Sequence, residues 1–218
     1  MKNALLATLL LISFSLMSAQ TPPPMHIAFL IDDGPTPDQL EKFLTLFKRE
    51  HVHVTFSFVA NNIVARPQLA KAALAAGHEI ANHSFDHKHP AGLSEKELDH
   101  EVIASLKVLE TQAGIHPAWY WPPFVEITPD LEKTVAKTSM KIFRPALLVS
   151  SSDWNTSVSA DQLRKNALTG VNNGTVILFH EWRQETLAQM PNIIAELKKQ
   201  GAVFLTISEL TNYLNNNK

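Results

Sequence analysis

Short apolar runs suited to buried strands alternate with helical patterns along nearly the whole chain, and this alternation limits the possible folds more than any other feature. The strand-like runs are His26 to Ile31, Val52 to Phe58, His78 to Ala81, Ala118 to Trp121, Ile142 to Val149, Thr175 to Phe179 and Val203 to Leu205. Helix signals lie between them. Thr36 is placed to cap a helix with Pro37 at its first position and Gln39 completing the box, and Leu40, Phe43, Leu44 and Phe47 form its apolar face. Pro67 to Ala76 reads as a helix closed by Gly77. Ser94 to Glu97 is a capping box opening a helix with Leu98, Val102, Leu106 and Leu109 on one face, ending at Gly114. Thr128-Pro129, Ser159 to Gln162 and Thr206 to Glu209 start further helices, and Met190, Ile193, Ile194 and Leu197 mark one stopped by Gly201.

Alternating strands and helices make a parallel sheet. Seven such units over about 190 residues leave no room for a second domain, so the pattern predicts a closed or nearly closed parallel α/β barrel with fewer than eight strands. An open doubly wound sheet is the alternative. Neither a Gly-x-Gly-x-x-Gly nor a P-loop pattern follows any strand, which leaves a nucleotide site without support.

Residues 1–19 read as a secretory signal peptide: one early positive charge, an apolar run from Ala4 to Met17, then small residues at Ser18 and Ala19. Residues 20–25 form a Pro-rich linker, and the domain runs from 26 to 214. The expected localisation is secreted or periplasmic, with no membrane contact beyond the signal segment. The chain has no cysteine, so its stability must come from its core rather than from disulfides. A net charge of −2 with scattered Lys and Arg argues against a nucleic-acid partner. Nothing in the sequence fixes an oligomeric state.

Polar signals follow five of the apolar runs: Asp32-Asp33-Gly34-Pro35, His83 to His87, Trp121 to Phe124, Asp153-Trp154 and His180-Glu181. Residues just past the carboxyl ends of parallel strands converge on one face, where the chemistry of α/β barrels sits. His83 and His87, four apart, face the same way if the segment turns helically. Asp32 or Asp33 would then complete three protein ligands and leave positions open for water and substrate. A surface His pair and a simple turn are the bland alternatives. Placement at strand ends favours a metal hydrolase.

These residues resemble the polysaccharide deacetylases of carbohydrate esterase family 4, the NodB-like deacetylases. Leu30-Ile31-Asp32-Asp33-Gly34-Pro35 is similar to the family's first motif, and His83 to His87 to its second. Asp153-Trp154 matches the fourth motif and Leu178-Phe179-His180 the fifth, and the likeness covers residues 26 to 214. The resemblance implies a distorted parallel (β/α) barrel of about seven strands, of NodB-homology type. It implies Asp33, His83 and His87 as ligands of a divalent metal, most often Zn2+, with Co2+, Ni2+ or Mn2+ also compatible. It makes Asp32 the base toward water held by the metal, His180 the acid that protonates the departing amine, and Asp153 the carboxylate that orients His180. A backbone N–H near Phe124 would stabilise the oxyanion, and Trp154 and Leu178 would receive the acetyl methyl.

The third motif departs from the family. Arg-x-Pro-x-Gly is here Trp121-Pro122-Pro123-Phe124-Val125, so Trp121 stands where an arginine normally pairs with the base. Loss of that cation should let the Asp32 pKa rise. Trp121, Phe124 and Val125 are together expected to reshape the substrate groove. The implied activity is removal of acetyl groups from N-acetylated amino sugars of a glycan, of chitin-oligosaccharide or peptidoglycan type. An O-acetyl xylan-type esterase and a catalytically weakened carbohydrate-binding pseudoenzyme are the other readings.

Overall fold

The computed structural model describes residues 24–217, so the signal segment and most of the linker lie outside the described residues. Met25, placed in the linker by its sequence, is already the first residue of the sheet. The strands are β1 (Met25–Gly34), β2 (Thr55–Phe58), β3 (Glu79–Asn82), β4 (Trp119–Tyr120), β5 (Lys141–Ile142), β6 (Leu147–Ser150), β7 (Thr175–His180) and β8 (Ala202–Leu205). All pair in parallel. Seven form a path in the order β5-β4-β3-β2-β1-β7-β6, and β8 pairs with β1 off that path. Ala28 pairs with Val176 of β7 and Leu205 of β8 at once, so β8 occupies the edge of β1 that β2 takes further along. Among the described residues β5 and β6 do not pair, and the sheet is a curled half-barrel rather than a closed cylinder.

The helices are α1 (Gln39–Glu50), α2 (Ala60–Ala65), α3 (Pro67–Ala75), α4 (Glu95–Asp99), α5 (Ser105–Val108), α6 (Pro129–Val135), α7 (Ala160–Leu168), α8 (Gln184–Lys199) and α9 (Ile207–Asn216). The pleat decides which strand residues meet them. Ile27, Phe29 and Ile31 of β1 pack with Phe43 and Phe47 of α1 and Ile193 and Leu197 of α8. Ala28 and Leu30 face the inside of the curve, with Trp121, Phe143, Val176, Leu178 and Leu210. The inward series 28, 30 continues to Asp32, and the inward series 176, 178 on β7 continues to His180. Asp32 and His180 are register partners, so the first polar residues at the ends of two neighbouring strands emerge side by side.

Three expectations are corrected. The run from Ile142 to Val149 is two strands at opposite ends of the path, because Arg144-Pro145 breaks the ladder and the chain crosses from β5 to β6. Thr36 and Pro37 precede α1, which begins at Gln39 with Asp38 as its N-cap and no side-chain cap bond. The Thr36 backbone N–H donates instead to Glu181 Oε1 at 2.6 Å, holding the segment to the end of β7. The helix opened by the Ser94 capping box is not uniformly α. Its α-helical parts α4 and α5 are each followed by π-helical turns, His100–Ala104 and Leu109–Ala113. Leu98, Val102 and Leu106 recur every four residues, a spacing wider than the 3.6 of an α-helix, and wider turns keep that stripe on one face.

Candidate active site

Asp32, Asp33, His83, His87, Phe124, Trp154, Leu178 and His180 line a single cavity of about 470 Å3 at the carboxyl ends of the strands. Asp33 follows Asp32 with a left-handed backbone (φ 71), which turns consecutive carboxylates in different directions. Its Oδ1 lies 3.4 Å from His83 Nε2 and 3.2 Å from His87 Nε2. The two imidazoles converge by a route other than the expected helical turn. Residues 83–87 form a tight non-helical bend with left-handed backbone at Ser84 and His87. Ser84 N–H donates to Asn82 Oδ1 (3.0 Å), and His87 N–H to Ser84 Oγ (2.9 Å). Phe85 and Asp86 N–H both donate to Glu101 Oε2, at 3.1 and 2.9 Å. Glu101 is buried on the first π turn, so the unusual helix and the histidine bend are one assembly.

His83 Nδ1 donates to the Trp121 carbonyl oxygen at 2.7 Å; since a carbonyl only accepts, Nε2 keeps its lone pair toward the cavity. Burial works against a proton on His83, but the carboxylates of Asp32 and Asp33 outweigh it and raise its pKa. For Asp33 burial acts upward, yet the close approach of the His83 and His87 imidazoles and the charge of His83 and His180 hold the carboxyl well below the usual range. A cation would substitute for the protons these groups otherwise attract.

Asp32 is buried among donors. Ser57 Oγ–H donates to Oδ1, and Trp121 Nε1–H donates to Oδ2 at 2.7 Å. Trp121, expected to touch substrate, is only 1% exposed and does not line the cavity. It supplies a neutral donor to Asp32 from the position where a family arginine would supply a charged one. Burial is the main cause of the raised Asp32 pKa, with Asp33 adding to it, while His83, His180 and Ser57 pull it down.

On the other wall, His180 Nδ1–H donates to Asp153 Oδ1 at 2.7 Å, directing Nε2 outward. Asp153 Oδ2 accepts from His180 N–H (2.8 Å) and Thr186 Oγ–H (2.6 Å), which fixes the carboxylate. Burial would lower the His180 pKa, but the Asp153 hydrogen bond and the nearby carboxylates push it up to about 9. Glu181 turns away from the cavity and packs beneath Gly34, where a Cβ would overlap its Oε2 and stand 2.7 Å from Phe58 Cε1. Burial pushes the Glu181 pKa up to about 7.

The rim is apolar: Phe124, Val125, Leu148, Trp154 and Trp182, with Trp154 60% exposed. Phe124 stacks on His89 with ring centres 3.5 Å apart and meets His87 edge-on. Phe124 and Val125 both have positive φ (58 and 57), a conformation unfavourable for a β-branched residue. Val125→Gly should therefore stabilise the fold by about 1 kcal/mol in urea unfolding, the relief of left-handed strain exceeding glycine's entropic loss. Ser57, Glu101, Thr186 and Trp182 carry no motif signal. Only Trp182, two residues beyond His180, had a nearby landmark.

The model of the polysaccharide deacetylase family matches residues 19–143. The peptidoglycan-N-acetylglucosamine deacetylase PgdA of Listeria monocytogenes is 28% identical over 185 residues, covering 85% of this chain and 38% of that protein. The chain thus spans well under half the length of that relative. A peptidoglycan-N-acetylglucosamine deacetylase of Bacillus cereus is 30% identical over 189 residues, 85% of this chain and 68% of its own. A family 4 acetyl xylan esterase from Clostridium thermocellum, solved with a cobalt ion, matches with TM-score 0.77 at 26% identity, covering 86% of this chain and 91% of that one. A family match over more than half of the sequence, in a chain whose strand ends carry the motifs of that family, has one consequence: the chain belongs to the polysaccharide deacetylases.

Proposed function

We propose that this chain is an exported, divalent-metal-dependent deacetylase that removes acetyl groups from N-acetylated amino sugars of a glycan, of chitin-oligosaccharide or peptidoglycan type. The observation that carries the reading is Asp33 Oδ1. It is buried without a hydrogen-bond partner and faces the Nε2 atoms of both His83 and His87. Two imidazoles and one carboxylate oxygen suit Zn2+, and also Co2+, Ni2+ and, less well, Mn2+. When bound, such an ion polarises the amide carbonyl and makes water beside it more acidic.

The chain's own residues supply the rest. Asp32, with one oxygen held by Ser57 and the other by Trp121, takes a proton from the attacking water. Water oxygen bonds to the acetamide carbon, the carbon–nitrogen bond breaks, and His180 delivers a proton to the departing amine. Acetate and a free amine result. The Phe124 N–H, in the first turn of a 3-10 helix where no intrahelical acceptor is available, serves the developing oxyanion. Trp154 and Leu178 border the same cavity and receive the acetyl methyl. Export rests on the N-terminal apolar segment, read as a signal peptide.

An amine is a poor leaving group until protonated, whereas an alkoxide departs with less help. The His180–Asp153 pair therefore supports an amide substrate over an O-acetyl ester. Its ion pair contributes stability fully below the ordinary histidine pKa of 6.5 and loses it as pH rises through about 9. The acid form of His180 thus persists through neutral pH. In Asp153→Asn, the alkaline limb of kcat/KM should move down by at least about one pH unit, because the anion favouring the imidazolium is gone. Hydrolysis of chitin oligosaccharide should fall more than that of acetylated xylan. Equal losses on the two substrates, with an unmoved limb, would remove His180 from the acid role.

A further inference from the structure

Asp33 has two oxygens, and they are treated differently. While Oδ1 faces the two imidazoles, Oδ2 accepts a hydrogen bond from Trp182 Nε1–H at 2.9 Å. Trp182 is 39% exposed, yet the chain beneath it is fixed on both sides. Glu181 N–H donates to the Asp32 carbonyl at 2.9 Å, and the Glu181 carboxyl is buried under the β1–α1 loop. On the other side, Arg183 is buried, and its Nη2 donates to the Val158 carbonyl at 3.0 Å. The indole is therefore anchored where it stands, and it also lines the cavity with its ring centre 6.0 Å from that of His180.

We infer that Trp182 is a positioning residue of the metal site, one whose indole N–H occupies Asp33 Oδ2 so that Asp33 presents Oδ1 alone to a divalent cation. The inference rests on the metal reading proposed above. A carboxylate with both oxygens free swings between one- and two-oxygen coordination. Pinning one of them fixes the other at the point where His83 and His87 converge, and it keeps a coordination position open for substrate. Hydrogen bonds to ligating carboxylates commonly set metal affinity by 10–100-fold.

Trp182→Phe keeps a ring in the cavity wall and deletes the donor. Zinc binding to chelator-stripped protein, followed by calorimetry, should weaken by about 10–100-fold in this variant. Trp154→Phe, which alters an indole of the same cavity that makes no bond to Asp33, should leave zinc affinity within about threefold of the original. The metal-free melting temperature of Trp182→Phe should match that of the parent, because the indole is partly exposed and packs little. The cobalt-loaded variant should show weaker visible absorption, as Asp33 turns to two-oxygen coordination and raises the coordination number. Unchanged zinc affinity and an unchanged cobalt spectrum in Trp182→Phe would overturn the inference. Failure of the parent itself to bind zinc or cobalt would instead overturn the metal reading on which it stands.

Discussion

Asp32→Asn should lower kcat by about 10^3-fold while leaving zinc affinity nearly unchanged. The substitution is close to isosteric, and the pocket accommodates it. The new amide oxygen accepts from Trp121 Nε1, and the amide NH2 donates to Ser57 Oγ, whose hydroxyl rotates to accept. Nothing else around the carboxylate has to move. What disappears is the ability to take a proton from water. Asp33, His83 and His87 remain in place, so metal analysis and calorimetry should read the same as in the parent. Full turnover in Asp32→Asn would show that another group is the base. A parallel loss of metal would show that Asp32 is a ligand, contradicting the assignment of Asp33, whose Oδ1 is the nearer oxygen to His83 Nε2 (3.4 Å against 3.8 Å for Asp32 Oδ2).

Chelation should have the second large effect, on turnover and stability together. Ligands that bind only the folded state add about 4 kcal/mol at a thousandfold excess over Kd. For a domain of this size that is roughly a 10 °C rise in melting temperature when zinc is restored. His87→Ala is the discriminating variant. The His87 side chain is half-buried, against the fully buried His83, so its removal leaves the fold intact while deleting a ligand. The variant should melt near the metal-free parent temperature, gain little from zinc and lack turnover. If chelation left the parent's melting temperature and turnover unaltered, the cluster of Asp33, His83 and His87 would be a hydrogen-bonded feature without an ion.

The strand–helix alternation carries most of the fold because its signals are local. The Ser94 and Thr206 capping boxes form both of their reciprocal bonds, and Thr128 and Ser159 cap α6 and α7. What the sequence hid is non-local. Thr36-Pro37 reads as a helix start, but Glu181, 145 residues away, claims its backbone. Ile142 to Val149 reads as one strand, and only pairing with β4 at one end and β7 at the other divides it. In the site, the residues that end strands were legible because strand ends are visible in the apolar pattern. Those that hold them were not. Ser57 lies inside an apolar strand, Glu101 inside an amphipathic helix, and Trp182 just beyond a recognised histidine. Trp121 was visible as a departure, yet its indole bond to Asp32 depends on the fold of both segments. The indole N–H holds Asp32 Oδ2 as a neutral donor.

Acetate release is the most direct test of the central claim. Mature protein, stripped with chelator and reloaded with zinc or cobalt, would be offered chitin oligosaccharides, peptidoglycan and acetylated xylan in parallel, with Asp32→Asn as control. Metal-restored release from an N-acetylated glycan, absent in Asp32→Asn, is the predicted result. Tight metal binding with no release from any of the three substrates would contradict it and leave a glycan-binding role, with Trp121→Arg as the variant that asks whether the missing cation silenced the site.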